Sequence, residues 1–204
     1  MAVVGKRFRD ALVWASELHE DQNRKGGAIP YVAHLLGVAA IVLEHGGSED
    51  QAIAALLHDA LEDQAHKMSA GEIRARFGGG VERIVLACSD GTPEEQQDKN
   101  PARWRARKQK YIAEIAGKPA DALIVSMADK LHNARAILED YRDLGEPLWG
   151  RFTTGREGTL WYYDAMLDAF EARGGHSRLW GELRRTVSEL KNLVEAAGQE
   201  AGRR

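Results

Sequence analysis

Residues Tyr31 to Asp63 read YVAHLLGVAAIVLEHGGSEDQAIAALLHDALED. Their apolar side chains return every three or four positions, the period of a helix and not the alternation of a strand. Gly46-Gly47 interrupts the run and Ser48 stands where an N-cap belongs. The stretch is therefore expected to fold as an antiparallel pair of helices over 31–44 and 49–63. His34, His58, Asp59, Glu62 and Asp63 stand within these apolar faces. A buried charge is costly unless it is paired or bound to a metal.

The same period extends outward in both directions. Phe8, Leu12, Ala15 and Leu18 mark one face of a first helix, which ends before the polar, glycine-bearing stretch 21–28, and Pro30 opens the next helix. Shorter helices are expected near 70–76 and 81–88. The stretch Asp90 to Asn100 is polar and proline-bearing, which reads as a mobile loop, and Pro101 restarts the helical pattern. From 120 to 141, Leu123, Val125, Met127, Ala128, Leu131 and Ile137 describe a largely buried helix that Asp129 interrupts. Two further helices, about 155–172 and 178–197, complete an all-α chain. No linker or repeat divides it, so one domain is expected over 1–197, with a disordered tail at 198–204.

Composition narrows the function classes. Across 204 residues, 28 Lys and Arg stand against 31 Asp and Glu for a formal charge of −3, which gives no global field to hold a polyanion. Nucleic acid is not an expected partner. The basic run Arg103 to Lys110 reads as a solvated helix face, and Trp161-Tyr162-Tyr163 as helix packing. Cys88 is the single cysteine, so there is no thiolate cluster, and a reducing cytoplasm is the expected location. No apolar run approaches the roughly 18 residues of a spanning helix, so no membrane role is expected.

Any one of His34, His58, Asp59 or Asp129 alone reads as a hydrogen-bonded core residue. Two imidazoles and two carboxylates on three apolar helices, with His58 and Asp59 adjacent, read jointly as a metal site. Such a mixed set suits Mn²⁺, Fe²⁺, Co²⁺ or Zn²⁺ better than Mg²⁺. A divalent ion of this kind, with open positions for water and a phosphoryl oxygen, points to a phosphohydrolase. The other histidines, His19, His45, His66, His132 and His176, read as structural or exposed.

The pattern His34, His58-Asp59, Asp129 resembles the signature of HD-domain metal phosphohydrolases. Three blocks narrow the resemblance: HEDQNRKGGAIPYVAH (19–34), AALLHDALED (54–63) and ADKLHNARAI (128–137) are similar, in order, to blocks of the hydrolase domain of RelA/SpoT homologues. The resemblance implies an HD-domain helical bundle of about eight to ten helices, a stand-alone small hydrolase of guanosine tetra- and pentaphosphate alarmones. It implies Mn²⁺ on His34, His58, Asp59 and Asp129, and Glu62-Asp63 as the acid–base pair. Glu62 would orient or deprotonate water, and Asp63 would hold a proton for the leaving ribose oxygen. Arg24, Lys25 and Asn133 would contact the nucleotide, and Arg103, Arg107 or Lys110 could add charge near the polyphosphate. A homo-oligomer and a functional pairing with an alarmone synthetase are compatible with it.

The chain also departs from that pattern. GGAIPY lengthens the loop before His34, Leu35 replaces a proline, and Gln64 replaces a common threonine. The loop lies beside the expected base pocket, so an adenosine alarmone is an alternative substrate. Another nucleotide, or a binding module without turnover, are the remaining readings.

Overall fold

The structure, a computed structural model, describes residues 4–91, 95, 98–174 and 177–201. His176 and residues 92–94 and 96–97 of the expected loop lie outside the described residues. Ten α-helices are present among the described residues: α1 (Lys6–Leu18), α2 (Val32–Glu44), α3 (Glu49–Leu57), α4 (Ala60–Asp63), α5 (Ala70–Phe77), α6 (Gly79–Cys88), α7 (Pro101–Glu114), α8 (Ala120–Leu144), α9 (Gly155–Ala172) and α10 (Arg178–Ala201). Short 3-10 turns follow at Ile115–Gly117 and Glu146–Arg151. Strand-like pairing among these residues is confined to one antiparallel bridge, Asn23 to Pro30. None of the helices among the described residues is long and apolar enough to cross a membrane.

The chain divides into two compact units, 1–98 with 117–129 and 99–116 with 130–204. The boundary between Asp129 and Lys130 falls inside α8, where no glycine, proline or polar run marks it. For that reason the sequence shows no linker.

In the first unit, α3 is the centre. Ala52, Ile53, Ala54, Ala55, Leu56 and Leu57 are all fully buried, with α1, α2 and α6 packed around them. Each large aliphatic side chain so placed contributes about 1.5–3 kcal/mol relative to exposure. Ser48 caps α3 as expected: its Oγ accepts from the Gln51 N–H, and the Gln51 side chain accepts from the Ser48 N–H. Gly47 is required by close packing, because a Cβ there would meet the Val42 carbonyl oxygen at 2.8 Å. On α1 the buried face is Ala11, Trp14, Ala15 and Leu18, while Phe8 and Leu12 are half-buried at its edge.

The expected continuous helix over 49–63 is broken. α3 stops at Leu57, and His58 and Asp59 form a turn in which Asp59 has φ −93° and ψ −7°, between the helical and extended regions. Asp59 O then accepts from the Glu62 and Asp63 N–H groups, restarting the chain as α4. Neither glycine nor proline punctuates the break, so the sequence pattern does not register it.

The second unit packs α9 against α10 and α7. Asn100 caps α7, its Oδ1 accepting from the Ala102 and Arg103 N–H groups at 2.9 and 3.1 Å, with Pro101 in the first turn. Tyr162 and Tyr163 are buried, as helix packing requires. The basic run on α7 is not a purely solvated face: the Arg105 guanidinium lies 3.1 Å from the Trp161 ring centroid, and Lys108 Nζ lies 5.1 Å from that of Tyr162. α10 continues as helix to Ala201, past the point at 198 where the sequence pattern was expected to give way.

Candidate metal centre and active site

Four polar side chains of the first unit converge at the α3–α4 break. His34, on the buried face of α2, is 1% exposed, His58 3% and Asp129 of α8 7%. His34 Nε2 lies 3.4 Å from Asp59 Oδ2 and 3.3 Å from Asp129 Oδ1. His58 Nε2 lies 3.1 Å from Asp59 Oδ2 and 3.6 Å from Asp129 Oδ1, without hydrogen-bond geometry to either. The turn lets the adjacent His58 and Asp59 face one point, which a continuous helix allows only at its edge.

These donors fit a divalent ion. A metal about 2.1 Å from each ligand places neighbouring donor atoms roughly 3.0 to 3.5 Å apart. The imidazole-to-carboxylate separations of 3.1 to 3.6 Å match that spacing. His34, His58 and Asp59 have donor atoms all within 4.8 Å of one another, and Asp129 joins them through its approach to the two imidazoles. The tautomer of His58 fits as well: Nδ1 donates to the Ala55 carbonyl at 2.9 Å, leaving the buried Nε2 lone pair facing the carboxylates. Burial opposes the charged His58 imidazolium, but Asp59 and Asp129 outweigh it and hold its pKa well above the ordinary value. Burial likewise opposes the Asp59 carboxylate, yet His58 and His34 hold it well below its usual range. Proton-bearing and metal-bearing states of the cluster therefore compete.

Glu62 and Asp63 diverge from α4, both half-buried. Glu62 Oε1 accepts from the Asp90 N–H at 2.6 Å, at the end of α6. Asp63 Oδ2 accepts from Gln22 Nε2 at 2.7 Å. Burial and the nearby Asp59 push the Asp63 carboxyl up, while the hydrogen bond from Gln22 acts the other way.

Arg24 and Lys25 sit at the tip of a tight turn. Its base is closed by Tyr31 N–H to Gln22 O at 2.9 Å and Arg24 N–H to Ile29 O at 2.8 Å, with Gly26 at φ 81° reversing the chain. Asn133 lies four residues after Asp129 on α8, half-buried, in the second unit. Arg103 and Lys110 are exposed and Arg107 half-buried, also in the second unit.

Sequence reasoning passed over the residues at the base of that turn. Tyr31 Oη donates to Asp59 Oδ2 at 2.6 Å, and its ring stacks on His19 at 5.0 Å between centroids. His19, grouped with the structural or exposed histidines, is 2% exposed, and burial lowers its pKa. The available signal was their place in the block: Gln22 stands two residues before Arg24, and Tyr31 three residues before His34.

An HD-domain family model matches residues 11–157. The chain is 38% identical over 132 residues to guanosine-3′,5′-bis(diphosphate) 3′-pyrophosphohydrolase MESH1 of Xenopus tropicalis, covering 63% of this chain and 68% of that protein. It is 30% identical over 132 residues to the bifunctional (p)ppGpp synthase/hydrolase SpoT of Escherichia coli K12, covering 65% of this chain but only 18% of SpoT. Among solved structures, a metazoan ortholog of SpoT described as hydrolysing ppGpp superposes with a TM-score of 0.71 at 24% identity, over 93% of this chain and 98% of that one. A Listeria monocytogenes EGD-e protein superposes with a TM-score of 0.66 at 25% identity, over 79% and 99% of the two chains. By its family match and its MESH1-type relatives, the chain belongs to the HD-domain family.

Proposed function

We propose that the chain is a metal-dependent hydrolase of the 3′-pyrophosphate of guanosine tetra- and pentaphosphate alarmones, giving GDP or GTP and pyrophosphate. The observation that carries the reading is the convergence of His34, His58, Asp59 and Asp129 beside Glu62 and Asp63, in a chain whose MESH1-type relatives are named for this reaction. Those four residues would hold a divalent ion; their donor set suits Mn²⁺, Fe²⁺, Co²⁺ or Zn²⁺, and the resemblance to alarmone hydrolases selects Mn²⁺ among them. When bound, such an ion acidifies water and polarises a phosphoryl oxygen.

The protein groups supply the proton transfers. Water oxygen bonds to the phosphorus attached at the 3′ position as the bond from that phosphorus to the ribose oxygen breaks. Glu62, held by the Asp90 N–H, takes a proton from the water. Asp63, whose carboxyl is raised by burial, delivers its proton to the departing 3′ oxygen. Arg24 and Lys25 at the turn tip would meet the base and a phosphate.

A second reading concerns the base. The turn from Gly26 to Ile29 adds length beside Arg24, and Ile29 is 57% exposed at its end. This favours testing an adenosine alarmone on equal terms. The buried Cys88 suits a reducing cytoplasm. A hydrolase of this kind would limit a stress signal or oppose an alarmone synthetase.

The test is to load purified protein with Mn²⁺, supply guanosine and adenosine alarmones side by side, and follow pyrophosphate. Release from either one supports the hydrolase. Intact substrates with metal bound overturn it, and orthophosphate from ordinary nucleotides redirects it to a nucleotidase.

A further inference from the structure

Gln64, which replaces a common threonine beside the acid–base pair, has a partner that explains it. Its side chain is buried, and its Nε2 donates to Gln22 Oε1 at 2.7 Å. The same Oε1 takes a second hydrogen bond, 2.6 Å long, from His19 Nδ1. An amide oxygen only accepts, so His19 must carry its proton on Nδ1. With two donors converging on the oxygen, the Gln22 amide cannot flip, and its Nε2 is aimed at Asp63 Oδ2, 2.7 Å away. The backbone reinforces the arrangement: Gln22 N–H donates to His19 O at 3.1 Å, and Gln22 O accepts from Tyr31 N–H at 2.9 Å. The Tyr31 ring in turn lies at 18° to the His19 imidazole.

We infer that Gln22 is a positioning residue for Asp63, and that Gln64 and His19 form the clamp that fixes which face of its amide meets that carboxylate. This rests on reading Asp63 as a member of the acid–base pair. The physical logic is directional. A carboxyl group that must deliver the proton on one of its oxygens gains from having its other oxygen occupied by a donor that cannot turn away. Gln22 supplies that donor through Nε2, and the clamp removes the rotamer freedom that a lone glutamine would keep. His19 serves as a neutral N–H donor, and burial favours its uncharged form. Gln64 reaches the amide from the residue directly after Asp63, so the acid and the clamp share one backbone segment.

The test combines kinetics with a spectroscopic signal on the Mn²⁺- or Zn²⁺-loaded protein. Gln22→Leu is expected to lower kcat by roughly tenfold to a hundredfold, the usual effect of losing an outer-shell partner, with KM and metal content held and a lower melting temperature from the two buried donors left unsatisfied. Gln64→Met, which keeps the volume and deletes the donor, should give a smaller fall in the same direction and reports the clamp should Gln22→Leu fold poorly. In an Asp63→Asn background, Gln22→Leu should cost nothing further, because the residue acts through Asp63. Long-range ¹⁵N spectra of the Zn²⁺ form should show His19 as the Nδ1–H tautomer, giving way to a mixture in Gln22→Leu. That signal reads the clamp whether or not alarmones are the substrate. Wild-type kcat in both glutamine variants, an undiminished loss in the Asp63→Asn background, or an Nε2–H tautomer at His19 would each overturn the inference.

Discussion

The break between α3 and α4 and the α7–α9 contact settle their charges in opposite ways. At the break, the imidazole nitrogens of His34 and His58 lie 3.1 to 3.6 Å from carboxylate oxygens of Asp59 and Asp129, a spacing that fits a divalent ion. On α7, the cations lie against aromatic faces, Arg105 on Trp161 and Lys108 on Tyr162, and Trp104 packs edge-on to both rings. In the sequence the first set stands within apolar helix faces and the second reads as a solvated face. What separates them in the fold is the neighbour: aromatic rings receive the cations of α7, whereas at the break ionisable groups gather on one another. The α7 arrangement is packing, and the gathering at the break is the one we propose for chemistry.

The largest effect comes from breaking the first region. His58→Ala or Asp129→Ala should strip the bound metal and abolish pyrophosphate release, as elemental analysis and the substrate assay will show. If either variant keeps full metal content, the contrast fails. Next, Glu62→Gln and Asp63→Asn should keep the metal and lose on the order of 10²- to 10⁴-fold in kcat. Asp63→Asn carries a second signature. Because burial raises the Asp63 pKa in the fold, its ionised form costs stability at every pH above the folded value. The metal-free Asn variant should therefore melt higher than wild type at neutral pH, and the gap should close as pH falls to about 4, the unfolded value.

Breaking the second region has a smaller and different result. Arg105→Ala should cost about 0.5–2 kcal/mol in stability, seen in denaturant melts, while metal content and turnover stay at wild-type levels. Smallest is the effect of Tyr141, whose hydroxyl donates to Glu146 at 2.8 Å and whose pKa is pushed up to about 12, first by burial and then by that carboxylate. Its contribution is complete below the unfolded value of about 10 and should fade as pH rises from there to about 12. Tyr141→Phe should flatten that part of the melting curve.

The sequence made the all-helical architecture legible because its apolar period holds over most of the chain. It also made His34, His58, Asp59 and Asp129 conspicuous, since charged groups in apolar helices demand compensation. The turn at His58-Asp59 stayed hidden because both residues are compatible with helix and no glycine or proline marks the stop. Gln22, Tyr31 and Gln64 stayed hidden for another reason: none is a conspicuous charge, and the pairing across Asn23 and Pro30 that brings the first two side by side has no helical period. The division inside α8 left no trace in composition.

That small paired turn separates two kinds of change. Its base, Gln22 and Tyr31, reaches Asp63 and Asp59, while its tip carries Arg24, Lys25 and the two glycines. Residues can be exchanged between Lys25 and Ile29 without touching the Tyr31 N–H to Gln22 O hydrogen bond at the base. On the proposed reading of Arg24 and Lys25, ligand preference can therefore be redesigned by editing a few exposed positions while the base keeps its hydrogen bonds to Asp63 and Asp59.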